Sequence, residues 1–330
     1  MSEASVGSPW LDEAAASLAA AHAAGRTPHA VLIQAAQGTG GSRLATWAAQ
    51  LVLCTARPAG PSPSGGGGPC GACPGCRRAA GGGHPDLLIA RPIEDSQQIR
   101  IEQIRELCAD LALTSHQGGY KVAIIDPADT LNRFAANALL KTLEEPAPRT
   151  LLVLVAAQPS RLPATLTSRC QRIRVRPPTR AESLTWLERE RGPGDWNAVL
   201  DVIGEAPMAA AALDPEAVGR LRAETCQTLE QIRVGAADPV PTAERWSRSE
   251  LALRLICLEN WLTECIRRGL APPPQPSELR ANAHPAPADS VMNTQVLFRV
   301  LDGARGLKAA LTAPINRSLA LESLLRSLRG

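Results

Sequence analysis

Short runs rich in Val, Ile, Leu and Ala recur through the first half of the chain, at residues 29–36, 86–90, 121–126, 151–157 and 172–176. Runs of this length and composition read as strands buried in a sheet. Between several of them the apolar positions fall at helical spacing. Leu44, Trp47, Ala48 and Leu51 share one helix face, Ile101, Ile104, Cys108 and Leu111 a second, and Leu131, Ala135, Leu139 and Leu143 a third. Pro146 is expected to stop that third helix, because proline has no amide hydrogen to donate and its ring clashes with the preceding turn. Strands alternating with helices predict a parallel sheet covered on both faces.

From Thr179 onward the strand pattern gives way to Ala, Leu, Arg and Glu at helical spacing. Pro177-Pro178 and Asp214-Pro215 are the expected boundaries, and no internal repeat is visible. Two stretches are rich in residues that favour open chain: 57–69 in Pro, Gly and Ser, and 271–290 in Pro and Ala. At 330 residues, two or three domains are expected. Aromatic residues are only 3% of a chain that is 45% hydrophobic, so its cores must be aliphatic. A net charge of +3 neither demands nor excludes nucleic acid. No secretory start is visible, and no apolar run approaches the roughly 20 residues needed to cross a bilayer, so a cytoplasmic protein without membrane contact is expected. The chain has nine cysteines, an odd number; in such a reducing compartment disulfides are not expected and clustered thiols point to metal.

The thiols do cluster. Cys70, Cys73 and Cys76 follow one another at intervals of three, with Gly and Ala among the residues between them, and Cys54 lies upstream at a predicted helix end. Four thiolates complete the tetrahedral site of a structural zinc and leave no open position for a catalytic water. His84 is a substitute ligand by position, and the bland alternative is a chance group of free cysteines. Cys108, Cys170, Cys226, Cys257 and Cys265 are scattered and read as ordinary residues.

The first strand runs into Ala35-Ala36-Gln37-Gly38-Thr39-Gly40-Gly41-Ser42 ahead of a helix, which is the setting of a phosphate-binding loop. The working pattern needs a Gly where Ala35 stands and a Lys where Gly41 stands. Gly40 and Ser42 fit, and Gly38 adds flexibility. Without the lysine's charge on the β- and γ-phosphates, tight ATP binding and turnover are not expected. The strand ending at Asp126 resembles a magnesium-holding strand, but Pro127 replaces the glutamate that would activate water. Each fragment alone reads equally as a tight turn after a parallel strand; together they have the order of a nucleotide-binding α/β domain.

The rest of the pattern resembles one family. Asn137 to Pro146 (NALLKTLEEP) resembles the signature helix of bacterial clamp-loader subunits, and Ser168-Arg169-Cys170 their Ser-Arg-Cys motif. The starts at Pro9-Trp10-Leu11 and Pro28-His29-Ala30, the thiol cluster after the first helix of the nucleotide domain, and Asn316 to Leu325 are similar too. A lost lysine and glutamate with a kept Ser-Arg-Cys motif resemble the delta-prime branch rather than the gamma/tau motors. A stretch comparable to the one from which motors extend an arginine, 204–213, contains none. The resemblance implies an AAA+ α/β domain with an inserted zinc module (1–177), a small helical lid (178–214) and an all-α collar (215–330). It implies a hetero-pentameric ring with gamma/tau and delta partners, a sliding clamp (beta) and primed DNA, as a component of the polymerase holoenzyme. It gives Arg169, with Ser168 beside it, the role of a finger reaching a neighbour's ATP. The bland alternative is a surface arginine at a strand start. Lys141, Glu144 and Glu145 are expected on an exposed side of their helix.

Three other classes make distinguishable demands. An active AAA+ ATPase needs a lysine at Gly41. A zinc-containing nucleic-acid-binding protein calls for a stronger basic bias and stacking aromatics, but no Phe, Tyr or Trp lies between Cys54 and His84. A metalloenzyme needs an open metal position.

Overall fold

The computed structural model describes residues 6–56, 67–93, 98–270, 294–311 and 315–329. Most of the 57–69 stretch and all of 271–290 lie outside the described residues. The chain divides into two compact units, one of residues 1–193 with 205–212, the other of residues 194–204 with 213–330.

The first unit is built on a five-stranded parallel sheet, and all five expected strands form. They are β1 (Ala30–Gln34), β2 (Leu87–Ala90), β3 (Lys121–Ile125), β4 (Thr150–Ala156) and β5 (Gln171–Arg174), in the order β2-β3-β4-β1-β5. Register pairs Val31 with Val153 on one side of β1 and with Gln171 on the other. All residues of β3 and β4 are buried, whereas β5 closes one edge with Ile173 alone buried. The three arginine and glutamine side chains left outside keep that edge from pairing with another strand.

Alternate residues of the central strands feed two separate faces. Leu32, Ile125, Leu152 and Leu154 share a core with Ile104 and Leu111 of α4 (Ile101–Ala112) and with Leu139 and Leu143. Against the opposite face lies α2 (Gly41–Leu53), which contacts β1 and β4. Its Leu44, Trp47, Ala48 and Leu51 are all buried, as their spacing predicts. Truncating one such leucine should cost about 2–5 kcal/mol, because the packed neighbours collapse only partly into the space left. Ahead of β1, α1 (Pro9–Ala23) buries Trp10, Leu11 and Leu18.

The third expected helix is two. A 3₁₀ turn (Ala128–Thr130) precedes α5 (Arg133–Ala138), and α6 (Leu140–Glu144) follows. Asn132 sets the start of α5, its Oδ1 accepting from the Ala135 amide at 2.8 Å. The break falls at Leu139, whose amide bonds to the Ala136 carbonyl in a tightened turn. Leu131, Ala135, Leu139 and Leu143 are nevertheless all buried, although Leu131 precedes α5 and bridges Ile99 instead of lying on a helix, so the apolar pattern marked buried positions while missing both the later start and the interruption. Pro146 lies just beyond the end of α6, as expected. Downstream in this unit come α7 (Ala164–Thr167), then α8 (Arg180–Arg191). A reciprocal cap starts α8: Thr179 Oγ1 accepts from the Glu182 amide, and Glu182 accepts from the Thr179 amide. Arg176 binds the same carboxylate with both terminal nitrogens, at 2.8 and 2.5 Å. These bonds first, with the Thr179 amide second, hold the Glu182 carboxyl down at about 2.

The second unit has no strand among its described residues. It comprises α9 (Trp196–Ile203) and, after α10 (Pro207–Ala210) of the first unit, α11 (Pro215–Arg233), α12 (Pro239–Arg248), α13 (Leu251–Leu270), α14 (Thr294–Ala309) and α15 (Arg317–Arg326). Asp214 caps α11 by accepting from the Glu216 amide, so the Asp-Pro pair starts a helix there. Leu229, Leu258, Leu262, Leu301 and Leu325 meet in one aliphatic core with Trp246. Buried Arg254 lies 5.0 Å from the Trp246 ring and pairs with Glu224 at 3.1 Å. Asn260 Nδ2 donates to the carbonyls of Asp201 and Val202 at the end of α9. No described helix in either unit is long and apolar enough to cross a membrane.

Candidate functional site

The two ends of α2 carry the two chemistry-bearing loops of the first unit. At its N-terminus the chain leaves β1 and turns through Gly38 and Gly40, whose φ angles of 76° and 99° are costly for any residue with a Cβ. Gly40 caps α2. The first amides of a helix have no intrahelical acceptor and present partial positive charge, which suits an anion. A cavity of about 760 Å³ opens there, lined by Gly38, Gly40, Gly41, Ser42, Asp126 and Arg161 among others.

The loop is held from outside. Trp10 Nε1 donates to the Thr39 carbonyl at 2.6 Å, and the Met208 amide of α10 donates to the Gly38 carbonyl at 2.9 Å. The Met208 side chain also lines the cavity. Gly41 is packed against the sheet: a Cβ there would stand 2.8 Å from Val155 Cγ1 and 3.0 Å from Ala35 Cβ. Position 41 therefore lacks both a cation and the space for the stem of one. Asp126 is buried at the end of β3, with exposed Pro127 next to it. Asp129 accepts from the Gln158 amide at 2.8 Å.

Arg169 follows α7 in the same unit. Ser168 caps α7, its Oγ donating to the Thr165 carbonyl at 3.1 Å. Cys170 is buried, and its Sγ donates to the Leu166 carbonyl. Burial pushes the Cys170 thiol up to about 11, with Arg172 opposing, so it stays protonated and inert. Between these two anchored residues Arg169 is exposed. Its Nη1 donates to the Thr165 carbonyl at 2.9 Å, and its Nη2 meets Glu144 Oε1 at 2.8 Å. Lys141, Glu144 and Glu145 are exposed, as their helix pattern predicts.

At the C-terminal end of α2, Cys54 is the cap residue. The sulfurs of Cys54, Cys70, Cys73 and Cys76 all lie within 4.8 Å of one another. Two of the separations are 3.8 Å (Cys54 to Cys73) and 3.9 Å (Cys70 to Cys76). A tetrahedron with metal–sulfur bonds of ~2.3 Å has edges of roughly 3.8 Å. Amides support the sulfurs as acceptors: Cys73 N–H donates to Cys70 Sγ and Cys76 N–H to Cys73 Sγ, both at 3.3 Å. Cys73 also begins α3 (Pro74–Ala80). Gly75 is obligatory for close approach, since a Cβ there would stand 2.3 Å from the Leu53 carbonyl oxygen.

Two of the buried sulfurs are pushed in opposite directions by their surroundings. Burial acts to raise the Cys73 thiol but is outweighed by hydrogen bonds from Thr55 and from nearby amides, which bring it to about 5. Burial and the neighbouring Cys73 sulfur push Cys76 the other way, far above the ordinary thiol value. Neighbouring thiolates cannot all ionise together without a positive ion to share. The donor set and spacing thus fit zinc held by Cys54, Cys70, Cys73 and Cys76. His84 stands apart from this group. It is buried, its Nδ1 accepts from the Asp86 amide at 3.1 Å, and burial lowers its pKa.

Three contacts at these sites escape the sequence pattern: Trp10 on Thr39, Met208 on Gly38, and Glu144 on Arg169. The first two join segments 29 and 170 positions apart, and no local periodicity signals such a pairing. Glu144 sits in the signature helix, so its residue was visible while its partner was not.

Residues 10–179 match the family described as DNA polymerase III, delta subunit. The DNA polymerase III subunit delta′ of Pseudomonas aeruginosa is 36% identical over 243 residues, covering 72% of this chain and 72% of that protein. Its Escherichia coli counterpart is 34% identical over 262 residues, 79% and 76% of the two chains. The tau subunit of Escherichia coli DNA polymerase III is 33% identical over 150 residues, 44% of this chain and 21% of tau.

Proposed function

The chain belongs to the delta-prime family of DNA polymerase III clamp-loader subunits, and on that premise we propose that it hydrolyses no ATP itself and lends Arg169 to the ATP site of a neighbouring gamma/tau subunit. The observation that carries this reading is a contrast within one unit. Arg169 is exposed between two anchored neighbours, Ser168 and Cys170, while Gly41 has neither the charge nor the room of a phosphate-binding lysine.

A guanidinium stays charged at every physiological pH, and its planar fork matches phosphate oxygens. Directed at the γ-phosphate in the transition state, it stabilises charge that develops only there, an effect worth roughly 10³–10⁵ in rate. The subunit's own cavity supports this division of labour, because Pro127 offers no proton acceptor beside Asp126. Its partners are then gamma/tau and delta in a hetero-pentameric ring, with the sliding clamp (beta) and primed DNA met through the assembly. The division into an AAA+ domain (1–177), a lid (178–214) and a collar (215–330) belongs to the same proposal, with the collar joining the ring. Zinc at the four cysteines supplies cross-linking rather than chemistry. Cys54 and Cys73 then pin the end of α2 to the start of α3.

The test measures ATP turnover with clamp and primed DNA present, first for this chain alone and then for the ring reconstituted with gamma and delta. Silence alone, activity in the ring and a fall of roughly 10³ with Arg169→Ala are expected. Robust turnover by the chain alone, or an unchanged ring carrying Arg169→Ala, would refute the proposal.

A further inference from the structure

We propose that Glu144 is a positioning residue for Arg169, holding the guanidinium ready so that a neighbour's phosphate meets it already oriented. This rests on the finger reading above and adds a second residue to it.

The geometry begins with the number of bonds. A guanidinium has five N–H donors. Two contacts fix it here, Nη1 to the Thr165 carbonyl and Nη2 to Glu144 Oε1. One comes from the helix just before Arg169 and the other from the end of α6, so they constrain it from two elements. The Arg169 side chain remains 37% exposed, with donors left for a ligand arriving from outside.

Glu144 has no evident duty to its own helix. It is the last residue of the five-residue α6, where the terminal carbonyls disfavour a carboxylate. A cation alongside compensates for that placement; Lys141 lies in the same turn, and Arg169 is the cation that pairs with Glu144 at 2.8 Å. As an ion pair it contributes little to stability, because Glu144 is 53% exposed and water screens the attraction. Its effect is on orientation. An arginine free to sample many rotamers must be ordered when it reaches the transition state, and one held in advance is ordered already. Small errors in the placement of a reacting or stabilising group cost large factors in rate. Weak stabilisation with strong orientation predicts a residue whose loss changes turnover and leaves folding alone.

The experiment uses the complete reconstituted ring with clamp and primed DNA. It compares Glu144→Ala, Glu144→Gln, Arg169→Ala and the double variant Glu144→Ala with Arg169→Ala, each with its thermal midpoint measured. Glu144→Ala should lower kcat about tenfold at unchanged KM for ATP and unchanged midpoint. Glu144→Gln, which keeps an acceptor oxygen at the same reach, should recover most of that loss. In the Arg169→Ala background the Glu144→Ala change should cost nothing further. An unchanged or raised kcat in Glu144→Ala, beside a large loss in Arg169→Ala, would overturn the positioning role and leave the finger intact. An equal loss in both backgrounds would also overturn it, by showing that Glu144 acts on something else. An unchanged rate in Arg169→Ala would instead remove the finger reading itself.

Discussion

The two ends of α2 present the same physical problem and solve it in opposite ways. At both ends backbone groups lack intrahelical partners and a loop packs tightly against them. The C-terminal end keeps a full set of side-chain ligands, and the backbone there is subordinate: Gly75 is small so that α3 can close on Leu53 and complete the four sulfurs. The N-terminal end keeps the backbone of a phosphate cradle, with Gly38 and Gly40 in the conformations it needs, and lacks the charged side chain. A metal site is built from its ligand atoms, and four sulfurs within 4.8 Å of one another supply a set that could hold an ion. A phosphate-binding loop of the working pattern combines a shaped backbone with a lysine, and here only the backbone half is present.

The largest effect expected of any change at this helix is at the cysteine end. Cys73→Ser should abolish stoichiometric zinc, measured by metal analysis after purification, and lower the thermal midpoint by several degrees or more, because structural zinc binding is folding energy. A variant that kept both its zinc and its midpoint would break the comparison. Gly41→Lys probes the other end and should have a smaller effect. Its Cβ must displace Val155 or Ala35, at a cost of about 1–3 kcal/mol. It should not restore ATP turnover to the isolated chain, since Pro127 still offers no acceptor. Turnover appearing on that one substitution would show that charge alone separates the cradle from a working site.

The smallest expected effect is a matter of pH. Glu182 is held at about 2 when folded, below the ordinary carboxylate value of about 4.3. A depressed carboxylate contributes stability above its unfolded pKa and loses it as pH falls toward the folded one. Acidification from about pH 5 to about pH 2 should therefore loosen the start of α8. Trp186 of that helix packs edge-on against Trp10, which in turn bonds Thr39 of the phosphate loop. Protection of the Thr39 amide, which donates to the Ala36 carbonyl, should fall in this window in the wild type once exchange is corrected for its intrinsic pH dependence. Glu182→Gln, which lacks the titrating group, should show less change. Equal acid sensitivity in the two proteins would separate the loop from the α8 cap.

The amino-acid sequence by itself determined the five strands, the buried face of α2, the cluster of four thiols and the missing lysine at Gly41. Most of this is written in local spacing: strands as short apolar runs, helices at a period of 3.6, three of the four thiols at intervals of three with Cys54 upstream. The tertiary structure alone decided the rest. It delayed the start of the third helix to an Asn132 cap and broke it at Leu139, where a tightened turn interrupts a continuous apolar pattern. It placed Met208 and Trp10 on the phosphate loop, left His84 apart from the sulfurs, and brought Glu144 to Arg169. The physical reason is common to these cases. Periodicity reports which face of an element is buried, because burial repeats along one element. A single hydrogen bond or ion pair between distant elements depends on how those elements pack, and it leaves no repeating trace in the chain.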